Sequence, residues 1–183
     1  MRAIQLIRST VLATVMALAT SIAFAQPFAI PAMTISSKAF EDGGVVPNKY
    51  SMHYEGVQPD FTISGAPANT VSYAIIFHDI DVALPGTTDD VVHWIAWNIP
   101  SNQIAEGGLP AGSVEGVNAM RRNGYVGPGA PNAPRYHHYV FEFYALSENL
   151  ELDATANKDQ LLTAMKGKVV AKAAYIGKFK KLD

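Results

Sequence analysis

The sequence lacks several features that would point to particular classes of protein. It has no cysteine, which excludes disulfide bonds and thiolate metal sites. Its formal net charge is −2, and Lys and Arg cluster only at Lys178-Phe-Lys-Lys181, so the basic stripe of a nucleic-acid surface is missing. No segment repeats at a period of about 20–50 residues. The apolar runs are shorter than the roughly 20 residues of a membrane-spanning helix, so we expect no stable membrane span.

The amino terminus has the pattern of a secretory signal peptide. Arg2 and Arg8 give a basic start, and residues 11–19 are almost entirely apolar. Ala23-Phe-Ala25 then supplies the small-x-small sequence that signal peptidases cleave. We therefore expect residues 1–25 to be removed after Ala25 and the protein to be periplasmic or secreted from a bacterium. A retained amino-terminal anchor is the alternative interpretation.

Residues 26–183 are expected to form one domain, because a chain of this length can bury a sizeable core without disulfides. The predicted fold is mainly β and sandwich-like, with a helix near the end of the chain. The strands at 72–78 and 93–99 are nearly continuous apolar runs, which indicates central strands covered on both faces. The predicted strands are 33–37, 60–64, 72–78, 93–99 and 136–146, and a further extended piece begins at residues 45–47.

The last 30 residues contain the one helical pattern. Asn157 or Thr155 can cap a helix, and Leu161, Met165 and Val169 recur every four residues. Gly167 interrupts that helix. Residues 171–174 fit either a further helical turn or the beginning of a final strand.

Ionisable residues cluster where two of the predicted strands approach each other. Asp79 and Asp81 end the first strand, and His93 starts the next. Two carboxylates this close would not both ionise readily in a dry site, so one could hold a proton. His93 could donate to an anion or act as a general base. A purely structural cluster explains the same spacing equally well.

A segment rich in Gly and Pro, residues 100–134, precedes the last of these strands. Connections of this length are more often functional than passive. Its motif Gly127-Pro-Gly-Ala-Pro131 could present backbone amides to an anion, although a plain proline-rich loop accounts for it as well. In the following strand, His137 and Tyr139 share one face and His138 points to the other.

Metal and nucleophile chemistry have weaker support. A site of two histidines and one carboxylate could be built from His93, His137 and Asp79, but no helical His pair is present. The sequence contains no Cys and no G-x-S-x-G elbow for nucleophilic catalysis. We therefore expect neither a metal nor another cofactor.

An ordered set of short motifs resembles the phosphatidylethanolamine-binding protein family, in particular its bacterial Raf-kinase-inhibitor-like branch. The resemblance extends from about Met33 to Phe179. Its motifs are Pro47-Asn-Lys-Tyr50, Gly65-Ala-Pro67, Ser72-Tyr-Ala74, Asp79-x-Asp81, His93-Trp94, Asn98-Ile-Pro100, Gly127-Pro-Gly-Ala-Pro131 and His137-x-Tyr139-x-Phe141.

The resemblance implies an antiparallel β-sandwich with a pocket for a small anion or a phospholipid head group. His93 and His137 would supply donors, the 127–131 loop would supply amides, and Asp79 would orient a histidine or bind an amine. The ligand-binding residues implied in this way are Asp79, Asp81, His93, Gly129, Pro131, His137 and Tyr139.

The chain also departs from the family pattern. Ile80 stands where the family usually has Pro, the proline pair of the loop is reduced to Ala130-Pro131, and Arg135 is an added cation near the expected pocket mouth. These departures bear on the identity of the ligand more than on the fold.

Three functions remain as hypotheses. The first is binding of a small anion or a phosphorylated head group. The second is an enzyme of the lyase, isomerase or hydrolase type, in which Asp79 orients His93 for acid–base chemistry. The third is a protein-inhibitor module, as in eukaryotic relatives, for which the sequence marks no interface.

Overall fold

The computed structural model describes residues 33–182, so the predicted signal peptide and the segment that follows it lie outside the described residues. The described chain contains nine strands, one α-helix and a short 3-10 turn at Asn48–Tyr50. No helix in this part is long and apolar enough to cross a membrane. The elements are β1 (Thr34–Ser36), β2 (Gly44–Val45), β3 (Phe61–Ser64), β4 (Ser72–Ala83), β5 (Asp90–Ile99), β6 (Gln103–Ile104), β7 (Val114–Glu115), β8 (His137–Leu146), α1 (Lys158–Ala164) and β9 (Val169–Phe179).

The strands form two sheets, which confirms the prediction of a mainly β fold. The larger sheet has six strands in the order β2-β9-β8-β4-β5-β7, and the smaller has three in the order β1-β3-β6. Neighbouring strands are antiparallel, except that β2 pairs with β9 in parallel. The two apolar runs predicted as central strands form β4 and β5, which both lie inside the large sheet, as expected for strands buried on both faces.

Aromatic side chains fill the space between the two sheets. Phe61 of β3 packs against Phe141, Phe143 and Tyr175 of the large sheet, with ring centroids 4.9, 5.0 and 5.9 Å away. All four side chains are buried. Alternate residues of β8 point into this layer, as the period of two in a strand requires.

The opposite face of the large sheet is covered by the helix and its flanking loops. Leu161 and Met165 pack with Ile76, Ile95 and Trp97 in a second apolar cluster. Because this cluster is buried as well, the large sheet is the middle layer of the molecule.

The helix is shorter than its sequence pattern predicted. Asn157 caps it by accepting from the backbone N–H of Gln160, and the Gln160 side chain accepts from the N–H of Asn157. The helix ends at Ala164, and Gly167 turns the chain with a φ of +77°. Val169, which the pattern placed on the helix, begins β9, so the strand alternative for residues 171–174 is correct. Pairing along the whole of β8 outweighs the local helical periodicity.

The sheet order brings one end of β4 beside the beginnings of β5 and β8. Asp79 lies opposite Val91 on one side and Tyr139 on the other. Carboxylate and imidazole groups that are far apart in sequence therefore meet at a single end of the sheet.

We predict that Phe61→Ala lowers the free energy of unfolding by about 3–5 kcal/mol, because it leaves a cavity among aromatic rings that join the two sheets. Urea denaturation followed by circular dichroism measures the change. Val71→Ala, at a side chain that is 54% exposed, is the matched control and should stay within about 0.5 kcal/mol of the unmodified protein. Equal losses in the two variants would contradict this account of the core.

Candidate functional site

A cavity of about 180 Å³ opens at the end of the large sheet where Asp79 lies, and we call it the histidine pocket. Six of the seven predicted ligand-binding residues line it, and Asp81 does not. The lining residues are Met52, Asp79, Val82, Val91, His93, Met120, Gly129, Ala130, Pro131, His137 and Tyr139.

His93 enters the pocket from β5 and is held by the backbone. Its Nδ1 lies 3.0 Å from the carbonyl oxygen of Val126. A carbonyl can only accept, so Nδ1 carries the proton and Nε2 is left as the available ring nitrogen. Burial lowers the pKa of His93 below its usual 6.5, against the opposing influence of the Val126 carbonyl and the charge of Asp79. The neutral imidazole is therefore favoured near pH 7.

Asp79 orients the second histidine of the pocket. Its Oδ2 accepts from Nδ1 of His137 at 2.8 Å, and its Oδ1 accepts from the backbone N–H of Asp81 at 2.9 Å. This leaves Nε2 of His137 as the available nitrogen. Asp79 thus orients His137. The enzyme hypothesis had Asp79 orient His93, but the backbone carbonyl of Val126 orients His93 instead.

Asp81 has a structural role next to the pocket. Its carboxylate accepts from the backbone N–H and the Nδ1 of His138, at 2.6 and 2.9 Å, and pairs with Arg135 at 2.9 Å. Burial opposes ionisation of Asp81, but these donors outweigh it and lower its pKa to about 2. Asp81 is therefore ionised and is not the carboxyl group that would hold the expected proton.

The two departures from the family pattern near Asp81 lie outside the cavity. Ile80 is 53% exposed and does not line it. The side chain of Arg135 is 62% exposed and directed to Asp81. Neither residue contributes a wall to the histidine pocket.

Two backbone amides of the glycine loop are already bonded within the protein. The backbone N–H groups of Gly129 and Ala130 donate to the hydroxyl oxygen of Tyr139, at 3.2 and 2.9 Å. Burial raises the pKa of Tyr139, so this hydroxyl stays neutral. The nearby carboxylate of Asp79 raises this pKa further. Within the described chain, then, these amides bind a protein group.

Close packing explains why glycine occupies the loop. A Cβ on Gly127 would lie 2.0 Å from the backbone oxygen of Tyr50, and one on Gly129 would lie 2.3 Å from Sδ of Met52. The backbone N–H of Met52 also donates to the oxygen of Pro128 at 3.1 Å. The glycines let the loop dock against the 50–52 segment, which forms one wall of the pocket.

Apolar side chains that sequence reasoning missed surround the polar groups. Met52, Val82 and Met120 line the cavity and are 45%, 36% and 41% exposed. They come from three separate loops or strand ends, so no local pattern marks them as neighbours. The site therefore has a polar floor and an exposed apolar rim.

The geometry does not favour a metal centre. Across residues 33–182, no three or more His, Cys, Asp or Glu side chains converge as metal ligands would.

Comparison with known proteins decides the family. The model of the phosphatidylethanolamine-binding protein family matches residues 36–180. The chain belongs to this family. A relative from Methanothermobacter thermautotrophicus, named UPF0098 protein, is 34% identical over 156 residues, which are 81% of this chain and 99% of the relative. A UPF0098 protein of Chlamydia trachomatis is 35% identical over 153 residues, 81% of this chain and 99% of its own.

Solved structures agree with this assignment. A crystal structure of a phosphatidylethanolamine-binding protein homolog from Chlamydia trachomatis has a TM-score of 0.76 and 32% identity, and the match covers 83% of this chain and 99% of that one. The E. coli family member YbcL has a TM-score of 0.75 at 22% identity, covering 82% of this chain and 99% of its own, and supports the fold alone. The family resemblance seen in the short motifs is confirmed.

We predict that Gly127→Ala destabilises the protein by about 1–3 kcal/mol or more, because the new Cβ would meet backbone that cannot move aside. Gly129→Ala should cost less, since the flexible side chain of Met52 can swing away. Gly108→Ala is the control: no atom lies within 4 Å of its Cβ, and its stability should change by less than about 0.5 kcal/mol. Thermal or urea unfolding would rank the three, and a Gly127→Ala protein as stable as Gly108→Ala would refute the packing explanation.

Proposed function

We propose that the histidine pocket binds a small anion or the phosphorylated head group of a larger molecule. One observation carries this proposal. His93 and His137 line the same cavity, and each has its Nδ1 fixed by a protein acceptor, so two Nε2 atoms remain for a ligand. The fold is that of a ligand-binding family, whose name refers to phosphatidylethanolamine.

The two histidines suit a phosphorylated group because an imidazole nitrogen can either donate or accept a hydrogen bond. A neutral Nε2 accepts from a protonated phosphate oxygen, and a protonated one donates to an ionised oxygen. No Lys or Arg is among the residues lining the pocket. A fully ionised anion must therefore be bound together with a proton taken up by a histidine.

The apolar rim supports a ligand with two chemical parts. Met52, Val82 and Met120 expose carbon and sulfur around the mouth, where the organic portion of a phosphorylated molecule would rest. Methionine side chains adapt to irregular apolar shapes. A head group on the floor and its organic substituent at the rim would use both surfaces.

We also propose that the protein acts after export, since the signal-peptide pattern at residues 1–25 precedes the domain. This placement would expose the pocket to ligands of the bacterial envelope.

We predict that sulfate binding weakens as pH rises. Sulfate stays fully ionised between about pH 5 and pH 8, so a histidine of the pocket must be protonated to donate to it, and we assign this proton to His93. Burial places the pKa of free His93 below 6.5, and the bound anion raises it. Affinity should therefore be greatest below the free-state pKa and fall by up to about tenfold per pH unit above it. NMR titrations of the histidine ring signals at several pH values measure the affinity.

Substitutions distinguish the two histidines of the pocket from a histidine outside it. His93→Gln should flatten the pH dependence, since an amide donates without titrating, and His137→Gln should weaken binding at every pH. His138→Gln is the matched control, because its ring is exposed, does not line the pocket and bonds to Asp81. Unchanged binding in His93→Gln and His137→Gln alike would reject the pocket as the anion site.

For export, we predict that the protein recovered from the periplasm or medium of the expressing bacterium begins at Gln26. Mass spectrometry of the intact protein identifies the first residue. Ala23→Lys should block cleavage because the peptidase accepts only small residues there, and Lys38→Ala, at an exposed position of the described domain, should leave cleavage unchanged. An uncleaved protein in the cytoplasm would refute the proposal.

A further inference from the structure

The rim of the histidine pocket carries the exposed methionines of the domain. Met52 and Met120 line the cavity and are 45% and 41% exposed. The other two methionines of residues 33–182 are Met33 and Met165, which are 6% and 2% exposed and belong to the two apolar clusters. Within the described chain, exposed thioethers are therefore confined to the mouth of one cavity.

These thioethers are the readily oxidised side chains of the protein. The sequence has no cysteine, so no thiol reacts with a peroxide in their place. The export proposed above would also place the domain outside the reducing cytoplasm. Met52 and Met120 are consequently the sulfur groups that a peroxide in solution can reach.

Backbone hydrogen bonds fix both methionines beside the cavity. The N–H of Met52 donates to the carbonyl oxygen of Pro128 at 3.1 Å. The N–H of Met120 donates to Oδ1 of Asn118 at 2.9 Å. Asn118 is itself buried, and its Nδ2 donates to the backbone oxygen of Gly124 at 3.0 Å. Because both segments are anchored, a chemical change in either side chain alters the rim itself.

The side chain of Met52 lies against the glycine loop. A Cβ on Gly129 would be 2.3 Å from Sδ of Met52 and 3.2 Å from its Cγ, so the thioether fills the space that a side chain would occupy there. Two of the three exposed apolar side chains of the rim are methionines, and the third is Val82. Oxygen atoms on the two sulfurs would make most of this apolar rim polar.

We infer that Met52 and Met120 are reversibly oxidised by peroxides and that their sulfoxides regulate the histidine pocket. In the reaction, a lone pair of the sulfur attacks one oxygen of hydrogen peroxide. The S–O bond forms as the O–O bond breaks, the sulfur loses two electrons, and the peroxide is reduced to water. The thioether and hydrogen peroxide thus give a sulfoxide and water, and sulfoxide reductases reverse the change.

The effect on binding follows from the polarity of the sulfoxide, and it rests on the proposed function, in which the organic part of a phosphorylated ligand contacts the rim. A sulfoxide oxygen is a hydrogen-bond acceptor that loses its water when an alkyl group covers it, and that loss opposes binding. The Nε2 atoms of His93 and His137 are chemically unchanged. Oxidation should therefore weaken ligands that use the rim and spare ligands that use the floor alone.

Treatment of the folded protein with hydrogen peroxide tests the selectivity of oxidation. Peptide mass spectrometry at successive times measures the gain of oxygen at each methionine. Met52 and Met120 should react at least about tenfold faster than Met33 and Met165, because a buried sulfur reacts only when the structure opens. In urea, where the chain is unfolded, all four should react at similar rates.

Two ligands with the same head group separate the rim from the floor. Inorganic phosphate lacks an organic part, and n-butyl phosphate adds a short alkyl chain. NMR titrations of the histidine ring signals, at one mildly acidic pH, compare the protein before and after oxidation. Affinity for n-butyl phosphate should fall about threefold to tenfold, and affinity for phosphate should change by less than about twofold. Methionine sulfoxide reductases should restore the n-butyl phosphate affinity.

Substitutions connect the loss of affinity to the rim. A protein with both Met52→Leu and Met120→Leu keeps apolar side chains of similar volume and has no sulfur at the rim. Its affinity for n-butyl phosphate should be the same before and after peroxide treatment. Met165→Leu, at a buried position outside the pocket, is the matched control and should lose affinity on treatment as the unmodified protein does. Circular dichroism verifies the fold of each variant.

Four results would overturn the inference. Met33 and Met165 could be oxidised as fast as the rim methionines in the folded protein, or n-butyl phosphate could bind equally well after Met52 and Met120 are oxidised. The loss of affinity could also persist in the double leucine variant or resist the reductases. Failure of the untreated protein to bind either phosphate compound is a separate outcome, which rejects the proposed function and with it the regulation.

Discussion

Strand β4 is hydrogen-bonded along both edges, and its register with β5 and β8 decides where the polar groups of the histidine pocket lie. Pairing of Asp79 with Tyr139 on one side and Val91 on the other sets the carboxylate beside His137. A slip of one residue would turn every side chain of β4 to the other face of the sheet. The buried aromatic layer prevents such a slip, because Phe77 stacks on Phe141 with ring centroids 3.8 Å apart.

The hydroxyl of Tyr139 connects this sheet to the glycine loop. It accepts from two backbone amides of the loop, so polar groups of the strand and of the loop satisfy one another inside a largely apolar region. As a result, most hydrogen-bonding capacity of the site is used within the protein. The Nε2 atoms of His93 and His137 are the polar groups that remain for a ligand.

A short segment, residues 125–126, positions both the polar and the apolar parts of the histidine pocket. The carbonyl oxygen of Val126 accepts from Nδ1 of His93. The hydroxyl of Tyr125 donates to the backbone oxygen of Tyr50. Met52, two residues further along, lies at the rim of the pocket.

The sequence by itself determined five of the nine described strands, β1, β3, β4, β5 and β8, because apolar runs and a period of two are local properties of the chain. It also determined, through ordered motifs, the family. The family motifs also implied six of the residues that line the histidine pocket, among them Asp79, His93 and His137. Only the tertiary structure decided which partner each group has. The carbonyl of Val126 bonds to His93, Arg135 forms an ion pair with Asp81, and Val169 belongs to a strand instead of the helix. These outcomes depend on contacts between segments distant in sequence, and local periodicity contains no information about such contacts.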